Sequence, residues 1–208
     1  MLLFDMDGTL IDSNGIWKDV DTRFLEKRGL PYTQEYYEGV AHTIFPLAAR
    51  FTKEFCHLPE SEEAIMAEWM DMAGDLYGTS VPVKPGVREY LEKLRSAGER
   101  MIVVTSAVPV HCRTALDHLG LTPYFERIIF AQELHREKKD PQLWRLSAEM
   151  MRVKPEDCTL YDDSVEACRG ARAAGMHAVG VFDPFFAGTE PEMRAVCDRY
   201  IRSFDELL

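Results

Sequence analysis

From residue 83 onward, short apolar runs alternate with stretches of helical spacing, and this rhythm constrains the fold more than any other feature. Val87, Tyr90, Leu91 and Leu94 fall at i, i+3, i+4 and i+7, opened by Pro85 and closed by Gly98, so the spacing predicts a helix with well-placed ends. Met101 to Val104 follow as a continuous apolar run, the pattern of a parallel strand buried on both faces. Cys112, Ala115, Leu116 and Leu119 repeat the helical spacing between Pro109 and Gly120. Strands are then expected at Arg127 to Ala131, Cys158 to Tyr161 and Ala178 to Phe182, with helices around Gln142 to Arg152 and up to Gly175. A last short strand is placed near Tyr200, and the charged cluster Glu190 to Arg202 reads as a solvated helix face. Strand and helix alternating in this way predict an α/β fold with a doubly wound parallel sheet.

The first strand of that sheet, Leu2 to Asp5, lies far upstream. Between it and Val83 the texture is helical: Trp17 to Lys27, Tyr36 to Val40, Leu47 to Phe55 and Ala64 to Leu76 show no convincing strand. A helical-bundle domain at 14–82 is therefore expected as an insertion into a core made of 1–13 and 83–208.

Composition narrows the partners. The 208 residues carry 24 basic against 35 acidic side chains, a net charge of −11. Such a surface repels phosphate backbones and anionic lipid, which argues against nucleic acid and membrane as partners. The N-terminus turns acidic at Asp5 before a signal-peptide core could form, and no apolar run is long enough to span a bilayer. The five cysteines, Cys56, Cys112, Cys158, Cys168 and Cys197, contain no Cys-x-x-Cys pair, so a reducing, cytoplasmic setting is the expectation. The oligomeric state is left open, a monomer included.

Ligands of open α/β sheets bind outside the carboxyl ends of the strands. The first strand ends in Asp5-Met6-Asp7-Gly8-Thr9 and the second in Thr105-Ser106. Lys138-Lys139 lies on the loop after the third, and the fourth ends in Asp162-Asp163-Ser164. Any one of these has an ordinary explanation as a turn, a helix cap or a solvated charge. Together they predict four acids, a hydroxyl and a cation on one rim. Four carboxylates do not crowd together at neutral pH without a cation. With no clustered His or Cys, this hard oxygen set fits Mg²⁺, and metal plus lysine would make one corner of an acidic protein attractive to phosphate.

Asp5-Met6-Asp7-Gly8-Thr9-Leu10, Val104-Thr105-Ser106, Lys138-Lys139-Asp140-Pro141 and Asp162-Asp163-Ser164 resemble, in order, the four motifs of the haloacid dehalogenase-like hydrolase superfamily. The flanks Lys84-Pro85-Gly86-Val87 and Ala173-Ala174-Gly175-Met176 match as well, and the helical insertion looks like the family's helical cap. The resemblance implies a Mg²⁺-dependent phosphatase acting on a small phosphorylated metabolite through an aspartyl phosphate. Asp5 would be the nucleophile and Asp7 the acid and base. Thr105, with the backbone N–H groups of Ser106 and Ala107, would bind phosphate oxygens beside Lys138. Gly8, Thr9 and Lys139 would line the substrate site, while Asp5, Asp7, Asp162 and Asp163 would hold the metal. The third motif departs from the family's usual Lys-Pro, and counting back from Pro141 and Trp144 favours Lys138 over Lys139 as the phosphate-facing residue.

The cap would close over the rim and contact the leaving group; Trp17, Tyr36, Tyr37 and His42 either face the substrate from it or, as is more usual for such side chains, make up the cap's own core. Phosphohexomutases of the same superfamily are the alternative reading. They carry a cap histidine where this chain has Trp17, and a Gly- and Arg-bearing loop that Val40-Ala41-His42-Thr43-Ile44 does not reproduce. A non-catalytic aspartyl-phosphate switch is the rival from another class; receiver domains place their acid pair and phosphoacceptor on the first and third strands, whereas the acids here end the first and fourth.

Overall fold

In the computed structural model, which describes residues 1–40 and 45–208, six parallel strands form one sheet. They are β1 (Leu2–Phe4), β2 (Met101–Thr105), β3 (Arg127–Phe130), β4 (Thr159–Asp162), β5 (His177–Val181) and β6 (Arg199–Ile201), in the order β3-β2-β1-β4-β5-β6. The helices are α1 (Ile16–Glu26), α2 (Gln34–Val40), α3 (Phe45–Phe55), α4 (Glu62–Thr79), α5 (Val87–Ser96), α6 (Pro109–His118), α7 (Pro141–Met150), α8 (Val165–Ala174) and α9 (Glu190–Val196). The doubly wound α/β reading of the sequence is what the structure shows. Among the described residues no helix is long and apolar enough to cross a membrane.

The chain divides into two compact units, Met1–Asn14 with Val81–Leu208, and Gly15–Ser80. Residues 81–84 belong with the sheet because they run beside the first motif: Ile11 bridges Val83, Asp12 N–H donates to the Pro82 carbonyl at 3.0 Å, and Lys84 N–H donates to that of Leu10 at 3.0 Å. The smaller unit holds α1 to α4 around Val20, Phe24, Ala49, Ile65, Trp69 and Ala73, all buried, with Phe24 edge-on to Trp69 at 5.6 Å.

In the larger unit the strand order reverses between β1 and β4. β1 pairs with β2 through Leu3 and Ile102, and with β4 through Leu3 and Leu160. Period-two alternation sends Leu3 to one face, where it joins Ile102, Val104, Leu143, Trp144 and Leu160. Phe4 faces the other way, stacked on Tyr161 with ring centroids 4.7 Å apart and edge-on to Phe125 at 6.0 Å. Tyr90 and Phe204 complete that aromatic layer, and the Tyr90 and Tyr161 hydroxyls share a 2.7 Å hydrogen bond. Both faces of β1 are thus sealed, and only its carboxyl end is left to carry polar groups.

Two helix ends differ from expectation. α7 stops at Met150, and Arg152 takes a left-handed φ of 57°. The charged C-terminal cluster is helical only over Glu190–Val196. Asp198 then exchanges hydrogen bonds with Ala178, its N–H donating to the Ala178 carbonyl and its carboxylate accepting from the Ala178 N–H, both at 2.9 Å. That pairing turns the chain into the edge strand β6, where Ile201 is fully buried.

Phe4 has no exposed surface and no room to be replaced by solvent. Phe4→Ala is expected to lower stability by about 3–5 kcal/mol through lost transfer energy and the cavity left behind. Urea unfolding measures it, and a loss under about 1 kcal/mol would contradict a packed aromatic layer.

Candidate active site

β1 ends at Phe4, so Asp5 is the first residue beyond the sheet, and its N–H donates to the Tyr161 carbonyl of β4 at 2.9 Å. β4 ends in Asp162, and Asp163 follows at once. The reversal of strand order therefore sets three buried carboxylates side by side: oxygens of Asp5, Asp162 and Asp163 lie within 4.8 Å of one another.

One ammonium enters this cluster. Lys138 Nζ makes a close ion pair with Asp5 Oδ1 and donates to Asp162 Oδ2 at 2.9 Å. Its side chain is 13% exposed, whereas Lys139 is 64% exposed and pairs with Glu137, away from the acids. Local structure explains why the first lysine turns inward. Asp140 caps α7 by accepting from the Gln142 N–H at 2.9 Å, Pro141 opens the helix, and Trp144 Nε1 donates to the Lys138 carbonyl at 2.8 Å. Gly170 on α8 lets that loop approach: a Cβ there would sit 2.3 Å from the Lys138 carbonyl oxygen and 2.8 Å from Trp144 Nε1.

The first motif curls over the same point. Gly8 has φ +75°, and a Cβ on it would lie 2.2 Å from Asp163 Oδ2 and 2.1 Å from Asn14 Nδ2. Thr9 Oγ1 donates to Asp163 Oδ1 at 3.3 Å, and Asn14 Nδ2 donates to Asp163 Oδ2 at 2.8 Å. Asp7 accepts from the Ser13 hydroxyl at 2.5 Å. At the end of β2 the Thr105 side chain is buried and accepts from the Ala107 N–H at 3.0 Å, while Ser106 is exposed. Both oxygens of Asp162 are hydrogen-bonded, the second accepting from the Ser164 N–H at 2.9 Å.

The electrostatics follow from three acids facing one ammonium. Burial pushes the Asp5 carboxyl well above the usual range; Lys138 opposes this, and the charges of Asp162, Asp163 and Asp7 reinforce it. Burial, followed by the Asp162 charge, raises Asp163 to about 7 despite Lys138 and Asn14. Burial alone would lower the Lys138 ammonium, but Asp162 and Asp5 outweigh it and hold it above the ordinary lysine value. The cluster is thus short of positive charge. Hard oxygen donors, buried and adjacent, fit a divalent cation such as Mg²⁺.

The structure thus brings Asp5, Asp7, Gly8, Thr9, Lys138, Asp162 and Asp163 into one constellation and leaves Lys139 outside it. In the helical unit Trp17 is 41% exposed and edge-on to Phe45. Of the two roles open to Tyr36 it takes the one in the unit's own core: it is fully buried, its hydroxyl 2.9 Å from Thr52 Oγ1 and donating to Asp21 at 3.1 Å. Its position in α2 points it into the unit's own core. His42 lies outside the described residues. Sequence reasoning missed Ser13, Asn14 and Gly170; only Gly170 left a signal, as a glycine inside an otherwise helical run.

Comparison with known proteins identifies the family. The sequence profile of the haloacid dehalogenase-like hydrolases matches residues 2–181, and the chain belongs to that family. It is 25% identical over 178 residues to a phosphorylated carbohydrates phosphatase of Thermotoga maritima, covering 86% of this chain and 82% of that one. It is 28% identical over 189 residues to fructose-1-phosphate phosphatase YqaB of Escherichia coli, covering 86% and 95%. The solved structure of a candidate beta-phosphoglucomutase from Thermotoga maritima superposes with a TM-score of 0.89 at 24% identity, covering 100% of this chain and 95% of that one.

Two outcomes follow. Gly170→Ala is expected to push the Lys138 loop off the acids and cut catalytic turnover about 10- to 100-fold, as displaced supporting contacts do, with helix content by circular dichroism unchanged. Full activity would show that the loop has room. The second concerns pH. Asp163 titrates near 7 in the folded chain against about 3.9 unfolded. The folded state therefore holds the extra proton between those values, and stability without metal declines as pH rises from about 4 to 7. Cation binding needs the ionised carboxylates. The rise in Tm on adding Mg²⁺ should be larger at pH 8 than at pH 5, and equal shifts would contradict the cluster as the binding site.

Proposed function

We propose that this chain is a Mg²⁺-dependent phosphatase that hydrolyses small phosphomonoesters, sugar phosphates foremost, through an aspartyl phosphate on Asp5. The observation that carries the reading is the buried Asp5 carboxylate at the end of the central strand, paired with Lys138 and flanked by Asp163. The names of the Thermotoga and Escherichia relatives support a phosphorylated carbohydrate as substrate.

An Asp5 oxygen attacks phosphorus, the bond from phosphorus to the ester oxygen breaks, and Asp7 gives its proton to the departing alcohol. Asp7 then takes a proton from water as that water attacks phosphorus, and the Asp5–phosphoryl bond breaks to release inorganic phosphate. Ser13 holds Asp7 at the start of this cycle. Lys138 favours the ionised nucleophile and would face the phosphoryl oxygens, and Thr105 with the Ser106 N–H would receive them, the Ala107 N–H being held by Thr105 Oγ1. Asp5, Asp163 and the Asp7 backbone carbonyl would hold the divalent cation, with Asp162 acting through Lys138. When bound, the cation supplies the positive charge that the acids lack and that the phosphoryl group requires. Trp17, which stands where phosphohexomutases carry a cap histidine, argues against a mutase, which needs a proton-transferring group to return the phosphoryl to a bound sugar.

Phosphate release from a panel of sugar monophosphates and phosphoglycolate, with Mg²⁺ or with chelator, tests the reading. Multiple turnovers are expected with Mg²⁺ only, sugar phosphates ahead of phosphoglycolate, and none with Asp5→Asn. Lys138→Met should lose about 10²- to 10³-fold in kcat, the scale of removing one donor to a developing charge. Undiminished release by Asp5→Asn would overturn the mechanism, and phosphoglycolate as the best substrate would overturn the substrate class.

A further inference from the structure

Outside the acid cluster, the larger unit contains one more buried ion pair. Lys84, on the segment that returns to the sheet, has its side chain 9% exposed and donates to Asp183 Oδ2 at 3.1 Å, with Asp183 2% exposed. The same ammonium donates to the Gly8 carbonyl and to the Phe182 carbonyl, each at 2.6 Å. All three of its donors are thus used. Asp183 is likewise spoken for, its other oxygen accepting from the Phe185 N–H at 2.9 Å. Three chain segments meet on one charge: the first motif, the end of β5, and the strand-like run that begins at Val81.

We propose that Lys84 is a positioning residue for the divalent-cation site, holding the Gly8 peptide so that the Asp7 carbonyl and the Asp163 carboxylate keep their mutual arrangement. Gly8 is the hinge of that arrangement. Its φ of +75° sets the direction of the Asp7 carbonyl relative to its own, and its other side lies against Asp163. The Gly8 N–H is fixed by the Ile11 carbonyl at 2.9 Å, and the Gly8 carbonyl by Lys84, so both ends of the residue are tied. Without Lys84 the buried Gly8 carbonyl loses its ammonium donor and the turn can rotate about that residue. The inference rests on the acid cluster being a cation site, as proposed above.

A merely structural ion pair makes a different prediction. Removing Lys84 alone buries an unpaired Asp183 and is expected to destabilise the fold. The double variant Lys84→Met, Asp183→Asn removes both charges together, keeps the net charge of the region, and leaves an Asn that still caps the turn at Phe185. If the pair serves only the fold, this double variant binds metal as wild type does. If Lys84 positions Gly8, the double variant recovers Tm but binds metal about 10- to 100-fold more weakly, the range for loss of a contact that orients a ligand group.

The experiment is Mn²⁺ binding by electron paramagnetic resonance, without substrate, on wild type, Lys84→Met and the double variant, beside Tm and phosphate release. A double variant with near wild-type Tm and weakened Mn²⁺ binding is the expected result. Wild-type Mn²⁺ affinity in that variant overturns the Lys84 assignment while leaving the phosphatase reading intact. A wild type that neither binds Mn²⁺ nor releases phosphate overturns the reading of the site, and this inference with it.

Discussion

Three carboxylates gathered at the end of a sheet repel one another and, being buried, resist ionisation, so the site depends on the ammonium that Lys138 places between Asp5 and Asp162. That ammonium arrives on a loop secured by a helix cap at Asp140, an indole hydrogen bond from Trp144 and the missing side chain of Gly170. The sheet makes the meeting possible. Its strand order reverses between β1 and β4, which puts the two acidic strand ends next to each other with hydrophobic layers sealing both faces behind them. Fold and chemistry are joined at one point, where the apolar part of β1 stops and Asp5 begins.

The balance of charge there is deliberate in a physical sense: one lysine is enough to assemble the acids but not to neutralise them. The remaining deficit raises Asp5 and Asp163, and it makes the site a natural receiver for a divalent cation. A protein of net charge −11 can in this way bind an anionic phosphate ester at a single corner against the repulsion of its overall charge. Neutral hydrogen bonds from Thr9, Asn14 and Ser13 orient the carboxylates without altering that balance.

The strands and the chemistry-bearing residues were legible in the sequence because both leave strong local signals. Continuous apolar runs such as Met101–Val104 announce buried parallel strands, and the polar residues that end them announce the rim. The choice of Lys138 over Lys139 was readable from its distance to Pro141 and Trp144, and the two lysines do part, one into the cluster and one to solvent. What remained hidden depends on partners far apart in the chain. Asn14 meets Asp163 across 149 positions and Lys84 meets Asp183 across 99, and no periodicity encodes such pairs. Tyr36 left two roles open for a related reason: an aromatic in a short helix looks the same from the sequence whether it faces a ligand or its own core. The end of the last helix was set by Asp198 pairing with Ala178, a tertiary contact rather than a local stop signal.

The central claim is that Asp5 carries the phosphoryl group. It is tested most directly by trapping the adduct in Asp7→Asn with p-nitrophenyl phosphate. The nitrophenolate leaves without needing a proton from residue 7, while the water that should follow has lost its base. Acid quench, borohydride reduction and peptide mass mapping then locate the acyl phosphate. The account predicts a reduced side chain at position 5 and nowhere else. Release of nitrophenol with residue 5 unmodified, or an adduct on another residue, would contradict it.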